Sequence, residues 1–528
     1  MLPPPPTAMS ETVRDALARP ETYSHRPASV DVRETHISWV FLAGRLVYKL
    51  KKPLVLDFLD YGTPERRREM CAEEVRLNRR LAPDLYLGVR GLALATDGVE
   101  LTDEDDPRAL DFVIEMRRYD EAQTLAAKLE RGELQRRDVV EVGRLLARFH
   151  GDAPRVTPDG APVLAAERRF DRNLQELLGN VEQRSEIERV QSLERFAHAF
   201  VTARAHTFVA RASRGRVREG HGDLRGEHVL LGDRVRIVDC VEFDPRLREL
   251  DVADDLAFLV FDLAARGGER FAESLVQAYR DAGGDPGPDS LIAFYAAYRA
   301  LVRAKVALVR GAQLPATSAE HGQQSAHARD LITLAERFAW RARRPLVIVV
   351  CGVPASGKSH LARALSVLSG LPHLSSDVIR KQLAGLRPTQ RAPDGTYDAQ
   401  WSERTYAELA RRASSELAAA GGAIVDATFR HRADRRAFAA ASVATSHTLF
   451  IECQAPSRIL AARASQREHD PNHVSDATLA IVVREQSQWE PLDEVPASAH
   501  LTVRTDRPLE QITADVLALL DRRLIELA

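Results

Sequence analysis

Cysteine, lysine, aromatic side chains and long apolar runs are all scarce in this chain of 528 residues, and each scarcity excludes something. The four cysteines (Cys71, Cys240, Cys351, Cys453) are scattered, with no C-x-x-C pair and no metal-ligand spacing. That pattern excludes a disulfide framework and a zinc module. Three of them lie in apolar, strand-like surroundings and are expected as small buried hydrophobes. Aromatic residues make up 6% of the chain and the net charge is −2, so neither stacking groove nor basic field points to nucleic acid. No apolar run approaches the ~18 residues of a membrane span. Residues 1–7, Met-Leu-Pro-Pro-Pro-Pro-Thr, lack the basic flank and apolar core of a secretory signal. The expectation is a soluble, cytoplasmic protein with no membrane partner, residues 1–26 forming a disordered, polyproline-like tail. Lysine is the last shortage, at seven of the 74 basic residues. Where a chain defaults to arginine, a kept lysine hints that a compact point charge is wanted.

One stretch has an unmistakable chemical meaning. Val347–Cys351 is a run of apolar, β-favouring residues that leads into Gly352-Val353-Pro354-Ala355-Ser356-Gly357-Lys358-Ser359-His360, and a helical rhythm follows. This is G-x-x-x-x-G-K-S in its required context of strand, loop and helix, a phosphate-binding loop. The glycines let successive backbone N–H groups turn inward around phosphate oxygens. The helix N-terminus adds roughly half a positive charge. Lys358 is expected on the β- and γ-phosphates of ATP, and the Ser359 hydroxyl on Mg²⁺. At this length the chain is too long for a single core, so two or more domains are expected.

In the first half, residues 36–52 read as two strands joined by a tight turn at Ala43–Arg45, with Val47, Lys49 and Lys51 on one face. A helix over 66–81 carries Glu73 and Glu74 and closes before Pro83; a third strand follows at 112–116. Lysine on a strand, glutamate on a helix, then a strand into a polar segment is the order of a kinase small lobe. Further on, Glu219–Leu231 reads Glu-Gly-His-Gly-Asp-Leu-Arg-Gly-Glu-His-Val-Leu-Leu, and Val235–Phe243 reads Val-Arg-Ile-Val-Asp-Cys-Val-Glu-Phe. Two short apolar strands thus deliver Asp223 and Asp239, the two carboxylates that phosphoryl transfer uses for the acceptor hydroxyl and for Mg²⁺.

His221-Gly222-Asp223-Leu224, Ile-Val-Asp239 and Arg248-x-x-Asp251-x-Ala-x-Asp255-Leu-Ala resemble the aminoglycoside phosphotransferase/choline kinase group over about residues 29–310. The resemblance implies a bilobal protein-kinase-like fold with Asp223 as catalytic base and Asp239 as metal ligand. It also pairs Lys49 with Glu74 on the phosphates, and makes Asp251 a structural acid that also suits a helix N-cap. The group's pattern is His-Gly-Asp-x-His-x-x-Asn. Here Arg225 replaces the second His, and His228 stands at the metal position where the Asn supplies an oxygen. An imidazole is a poor Mg²⁺ ligand beside oxygen donors. Glu227 or a water is an alternative there, and a weakened metal site is another.

Residues 311–325 have linker composition, and the helical stretch 331–340 leads to the boundary, placed at 343. The expected domains are 1–26 as tail, 27–342 as the kinase-like domain with its linker 311–325, and 343–528 as the P-loop domain. In the second half Leu374-Ser375-Ser376-Asp377 ends a short strand before a helix, which suits Asp377 to an acceptor hydroxyl or to a plain N-cap. Ala423–Asp426 is an apolar strand ending in an acid suited to Mg²⁺. A helix over 459–468 puts Arg463 and Arg467 on one face as a candidate lid, with a break at His469–Asn472 and a further helix over 475–488. With strands at 451–453 and 501–503, about five parallel strands are expected. The fold class is therefore α+β, bilobal and protein-kinase-like, followed by an α/β doubly wound P-loop domain.

These second-half motifs resemble the small P-loop kinases (gluconate-kinase-like, zeta-toxin-like and polynucleotide-kinase-like), and the whole chain resembles bacterial two-domain proteins joining both modules. The resemblance implies ATP, Mg²⁺ and phosphoryl transfer to a small hydroxylated acceptor, with Asp377 contacting that acceptor. Two other readings stay open. One is a nucleic-acid end kinase, disfavoured by charge and aromatic content; the other is a nucleotide-gated regulator whose first half is a pseudokinase.

Overall fold

The computed structural model describes residues 8–56, 59–95, 98–157, 160–387, 390, 393, 395–396, 398–441, 448–468 and 479–526, without side chains at 8–11, 467–468 and 479. The chain divides into two compact units. One comprises Met1–Asp159 and Val209–Pro288; the other comprises Gly160–Phe208 and Asp289–Ala528.

The first unit opens on a six-stranded antiparallel sheet of β1 (Val30–Glu34), β2 (Ser38–Ala43), β3 (Leu46–Lys51), β4 (Tyr86–Ala95), β5 (Gly98–Thr102) and β6 (Asp111–Arg117). Their order is β1-β2-β3-β6-β4-β5. The turn after β2 holds Gly44 at φ +65°, a conformation that glycine adopts without a Cβ penalty. A helix, Pro64–Asn78, starts where the Thr63 side chain accepts from Arg66 N–H and Pro64 supplies a preset φ. It packs Cys71 and Val75 against Val47, Ile114 and Met116. Period-2 alternation on β3 thus turns Val47, Lys49 and Lys51 to this helix. Two short antiparallel pairs follow, Val229–Leu231 with Val235–Ile237 and Val217–Glu219 with Glu249–Asp251, among the helices Arg136–Asp152, Val252–Ala265 and Glu269–Asp281.

The expected disordered tail is corrected in its described part. Ala8–Leu17 is a helix, and Val13, Ala16 and Leu17 are buried with Tyr23, Trp39, Phe41 and Tyr48. The spacing i, i+3, i+4 makes one apolar stripe, and the Tyr23 hydroxyl closes it by donating to the Leu17 carbonyl at 2.5 Å. The expected linker is also shorter than its composition suggested. Asp289–Ala312 and Ala319–Ala342 are helices packed on each other, and Ser318 caps the second through His321 N–H at 3.1 Å.

In the second unit these helices join Pro162–Leu178 and Arg184–Ala203, where Phe200 stacks on Phe294 at 4.5 Å. A five-stranded parallel sheet follows: β7 (Leu346–Cys351), β8 (His373–Ser375), β9 (Gly422–Asp426), β10 (Thr448–Gln454) and β11 (His500–Arg504), in the order β8-β9-β7-β10-β11. The central β7 and β9 are buried at every residue, which is why they read as unbroken apolar runs. One face packs Leu361, Leu365, Val516 and Leu520; the other packs Ile379, Leu409, Phe429 and Phe438. All four cysteines are free and buried. No helix among the described residues is long and apolar enough to cross a membrane. The two fold classes expected from the sequence, kinase-like and P-loop α/β, are the two present.

Candidate functional site

The parallel sheet of the second unit gathers its candidate residues at one edge. Register pairs Val350 of β7 with Asp426 at the end of β9, and Ser375 at the end of β8 with the same Asp426. The loop 352–357, Asp426 and the helix Ser376–Leu383 carrying Asp377 therefore all leave from the carboxyl ends of adjacent strands. That is where open α/β sheets bind ligands.

The loop conformation follows from its residues. Gly352 has φ +142°, and a Cβ there would lie 2.5 Å from the Cys453 carbonyl and 2.7 Å from Ser356 Oγ. Gly357, at φ +92°, is the N-cap of the helix Lys358–Ser369, so the loop turns its N–H groups and the helix dipole to one place. Ala355 also has a positive φ, +69°, a strained conformation for a residue with a Cβ.

Asp426 is the most informative side chain here. It is 3% exposed, and its Oδ1 has no hydrogen-bond partner among the described residues. Burial opposes its charge, but His373, Lys358 and Ser359 together hold the carboxyl below the ordinary aspartate range. The His373 ring lies 3.5 Å away. A buried, ionised oxygen without a partner is costly unless something else fills its lone pairs. A Mg²⁺ shared with the Ser359 hydroxyl and nucleotide phosphates fits that donor set, since magnesium takes few protein oxygens and completes its shell with phosphate and water. Among the described residues no three His, Cys, Asp or Glu side chains converge to hold a metal by themselves.

Arg463 lies on the helix Ser457–Glu468 and is bound to the loop itself. Its Nη1 donates to Ala355 O (3.4 Å) and Thr505 Oγ1 (3.1 Å), and its Nη2 to Thr505 O (2.8 Å). Thr505 Oγ1 in turn donates to Ser356 O at 2.5 Å. Sequence reasoning missed both Thr505 and His373, because only the fold brings them to the loop and to Asp426. The backbone of Arg467 continues the same helix; its side chain, and residues 469–478, lie outside the described residues.

In the first unit Lys49 Nζ donates at 2.9 Å to both Glu74 Oε1 and Asp239 Oδ1, so the expected Lys49–Glu74 pair forms and Asp239 joins it. Burial disfavours the Lys49 ammonium, but Asp239, Glu74 and Glu242 outweigh it and raise the pKa well above the lysine range. Lys49 in turn draws Asp239 far below the aspartate range. Asp239 sits at φ +65°, an outlier for a residue with a Cβ and a common mark of functional sites. Glu73 faces away, to Arg76 and Arg248. A second lysine, placed on the same face by alternation but given no role, joins them: Lys51 is fully buried, donates to Glu74 Oε2 at 2.7 Å and is paired with Glu242, which also accepts from Tyr61.

The loop bearing Asp223 is held by Asp255, which the sequence had left without a role. Asp255 accepts from His221 N–H (2.7 Å) and Gly222 N–H (3.0 Å) and meets His150 Nε2 at 3.1 Å. Asp251 caps the helix Val252–Ala265 through Ala253 N–H, as its position suggested, and pairs with Arg211. His221 bonds Val238 O through Nε2 at 2.9 Å and receives Asp223 N–H at Nδ1, which fixes it as the Nε2–H tautomer; burial lowers its pKa. It thereby ties the Asp223 segment to the Asp239 segment. Asp223 itself accepts a fork from Arg225, Nε to Oδ1 at 3.0 Å and Nη2 to Oδ2 at 2.9 Å. His228 stands between the two acids, 3.7 Å from Asp223 Oδ2 and 3.6 Å from Asp239 Oδ2.

Residues 347–492 match the family model described as an AAA domain. An uncharacterized protein of Mycobacterium tuberculosis (strain ATCC 25618 / H37Rv) is 33% identical over 474 residues, 87% of this chain and 91% of that protein. Among solved structures, a choline/ethanolamine kinase family protein from Mesorhizobium loti is 16% identical and covers 61% of this chain and 95% of its own, with a TM-score of 0.37. A gluconokinase from Sinorhizobium meliloti 1021 is 22% identical and covers 35% of this chain and 97% of its own, with a TM-score of 0.26.

Proposed function

This chain belongs to the family of the mycobacterial proteins that match it over nine-tenths of their length, and from that premise we propose that it is a cytoplasmic, ATP-dependent phosphotransferase. Its acceptor is a small hydroxylated molecule, and turnover resides in the P-loop unit. The observation that carries the reading is the buried Asp426 carboxyl, whose Oδ1 has no hydrogen-bond partner among the described residues, on the strand edge that also bears the phosphate loop and Asp377.

In this reading the N–H groups of residues 352–357 and the helix Lys358–Ser369 cradle the phosphates, and Lys358 places its charge on the β- and γ-oxygens. Ser359 and Asp426 hold the Mg²⁺, which when bound neutralises charge on the transferring group. Asp377 receives the proton of the acceptor hydroxyl while that oxygen forms its bond to the γ-phosphorus. The bond from that phosphorus to the β–γ bridging oxygen breaks, and ADP leaves with the electron pair. Arg463, already bonded to the loop, brings a cation to its flank, with Arg467 one turn further on.

The test compares Lys358→Ala and Asp223→Ala proteins with the parent for ATP consumption against sugars, amino alcohols, hydroxy acids and oligonucleotides. Lys358→Ala is expected to lose at least ~100-fold in transfer, the scale of removing one charged contact to a transition state. Asp223→Ala is expected to keep the parent rate. Full transfer by Lys358→Ala with loss in Asp223→Ala would assign catalysis to the other unit.

A further inference from the structure

The protein-kinase-like fold implies a divalent ion between its two acids, and the residues of the first unit do not fit one. The base Asp223 and one oxygen of Asp239 are already held by cations of this chain, the other Asp239 oxygen lies 3.6 Å from His228 Nε2, and His228 offers an imidazole where the ion wants an oxygen. Arg225 makes a two-point fork on Asp223, through Nε at 3.0 Å and Nη2 at 2.9 Å. Lys49 takes Asp239 Oδ1 at 2.9 Å. His228 stands where the related pattern supplies an amide oxygen, and its ring is committed on both sides. Its Nδ1 meets the Asp223 carbonyl at 2.9 Å, so that nitrogen carries the hydrogen and Nε2 carries the lone pair. Arg225 Nη2 lies 3.2 Å from Nε2 and donates into that lone pair. The remaining Arg225 nitrogen, Nη1, pairs with Glu227. One guanidinium thus engages the base, the metal-position imidazole and the alternative carboxylate at once.

The backbone keeps Arg225 at this post. Gly226 N–H donates to Asp262 Oδ2 at 2.9 Å, and Gly226 O accepts from Ala126 N–H at 3.1 Å. A Cβ at Gly226 would lie 3.0 Å from both Asp262 Oδ2 and Leu125 Cδ2, so the turn is packed from both sides. His228 N–H closes the turn on Arg225 O at 3.0 Å. The Arg225 and His228 side chains are 15% and 10% exposed, so their bonds are little weakened by water.

We propose that Arg225 is an internal plug: it substitutes for the divalent ion of the first unit, so that this unit takes up no metal at Asp239 and transfers no phosphate from Asp223. The proposal does not depend on which acceptor the P-loop unit uses.

The test counts Mn²⁺ bound per full-length chain in the presence of ATP, read from the electron paramagnetic resonance signal of the free ion. In the parent, Asp239→Asn is expected to leave the count unchanged, and Asp426→Asn is expected to remove the ion of the P-loop unit. Loss of one ion in Asp239→Asn overturns the proposal, whatever Asp426→Asn does. An Asp426→Asn chain with an unchanged count weighs against the P-loop reading alone. Arg225→Ala/His228→Asn is expected to gain one ion that Asp239→Asn then removes; no gain, in a variant that melts like the parent, also overturns it. Arg225→Gln, which keeps the side-chain length without the charge, serves if the double variant does not fold.

Discussion

Replacing Lys51 by methionine tests whether the buried charges of the first unit hold its sheet to its helix. Lys51 is fully buried on β3 and meets Glu74 Oε2 at 2.7 Å, Tyr61 Oη at 3.2 Å and Glu242. Methionine keeps the apolar stem and removes the cation, leaving two buried carboxylates. Breaking a buried pair by removing one partner costs about 3–5 kcal/mol. Here the lower end is expected, because Lys49 still holds Glu74 Oε1 at 2.9 Å and Tyr61 still donates to Glu242 at 2.5 Å. About 3 kcal/mol corresponds to ~100-fold faster exchange of the slowest amides of Leu46–Lys51, at 1.36 kcal/mol per decade. Hydrogen exchange read by mass spectrometry separates this from the second unit, whose Leu346–Cys351 amides serve as control.

The pH dependence has a definite sign. Burial raises the Glu242 pKa, but Lys51 and Lys49 outweigh it, so the parent carboxyl lies below its ordinary value. Its stabilisation is therefore present above the unfolded pKa of about 4.3 and lost as pH falls through the folded one. Without Lys51, burial dominates and Glu242 takes up a proton more readily. The ratio of variant to parent exchange is then larger at pH 8 than at pH 6. A ratio under tenfold at pH 8, or one that grows on acidification, would refute the reasoning.

Two further outcomes follow from single positions. Gly422 has φ +156°, and a Cβ there would run into the Leu346 carbonyl, whereas Gly267 at φ +74° has nothing within 4 Å of its Cβ position. Gly422→Ala is expected to lower the melting temperature of the second unit by clearly more than Gly267→Ala lowers that of the first, which calorimetry would read; equal shifts would contradict the steric argument. Glu408 is drawn down to about 2 by hydrogen bonds from Arg411 and Arg412 on an exposed helix face. Its contribution is present above about pH 4.3 and lost as pH falls through about 2, yet Glu408→Gln is expected to cost under ~1 kcal/mol in urea melts and less still in high salt, because exposed i,i+3 and i,i+4 pairs are worth little.

The elements legible in the sequence were those whose pattern is local. The strand–loop–helix around Lys358, the acid ending β9 and the paired strands before Lys52 each declare themselves within ten or so residues. The helix Ala8–Leu17 was hidden beside a proline run, although Val13, Ala16 and Leu17 carry its stripe. Strands β1, β4 and β5 were missed because β1 is almost wholly exposed and β4 and β5 mix buried and intermediate positions without clean alternation.

The sequence by itself determined the P-loop fold class, through residue type and short-range periodicity, and its motifs carried the resemblance that implied the kinase-like fold and its acids and lysine. It showed that Arg225 and His228 stand at altered positions. Only tertiary structure decided what those residues touch: Arg225 on Asp223, His228 between two acids, Asp255 under the loop, and Asp426 with one oxygen unmet among the described residues. Those are contacts between segments up to about a hundred residues apart, such as His150 with Asp255, and neither propensity nor spacing carries them. Charge pairing in a buried site depends on distance and direction in three dimensions, and the fold sets both.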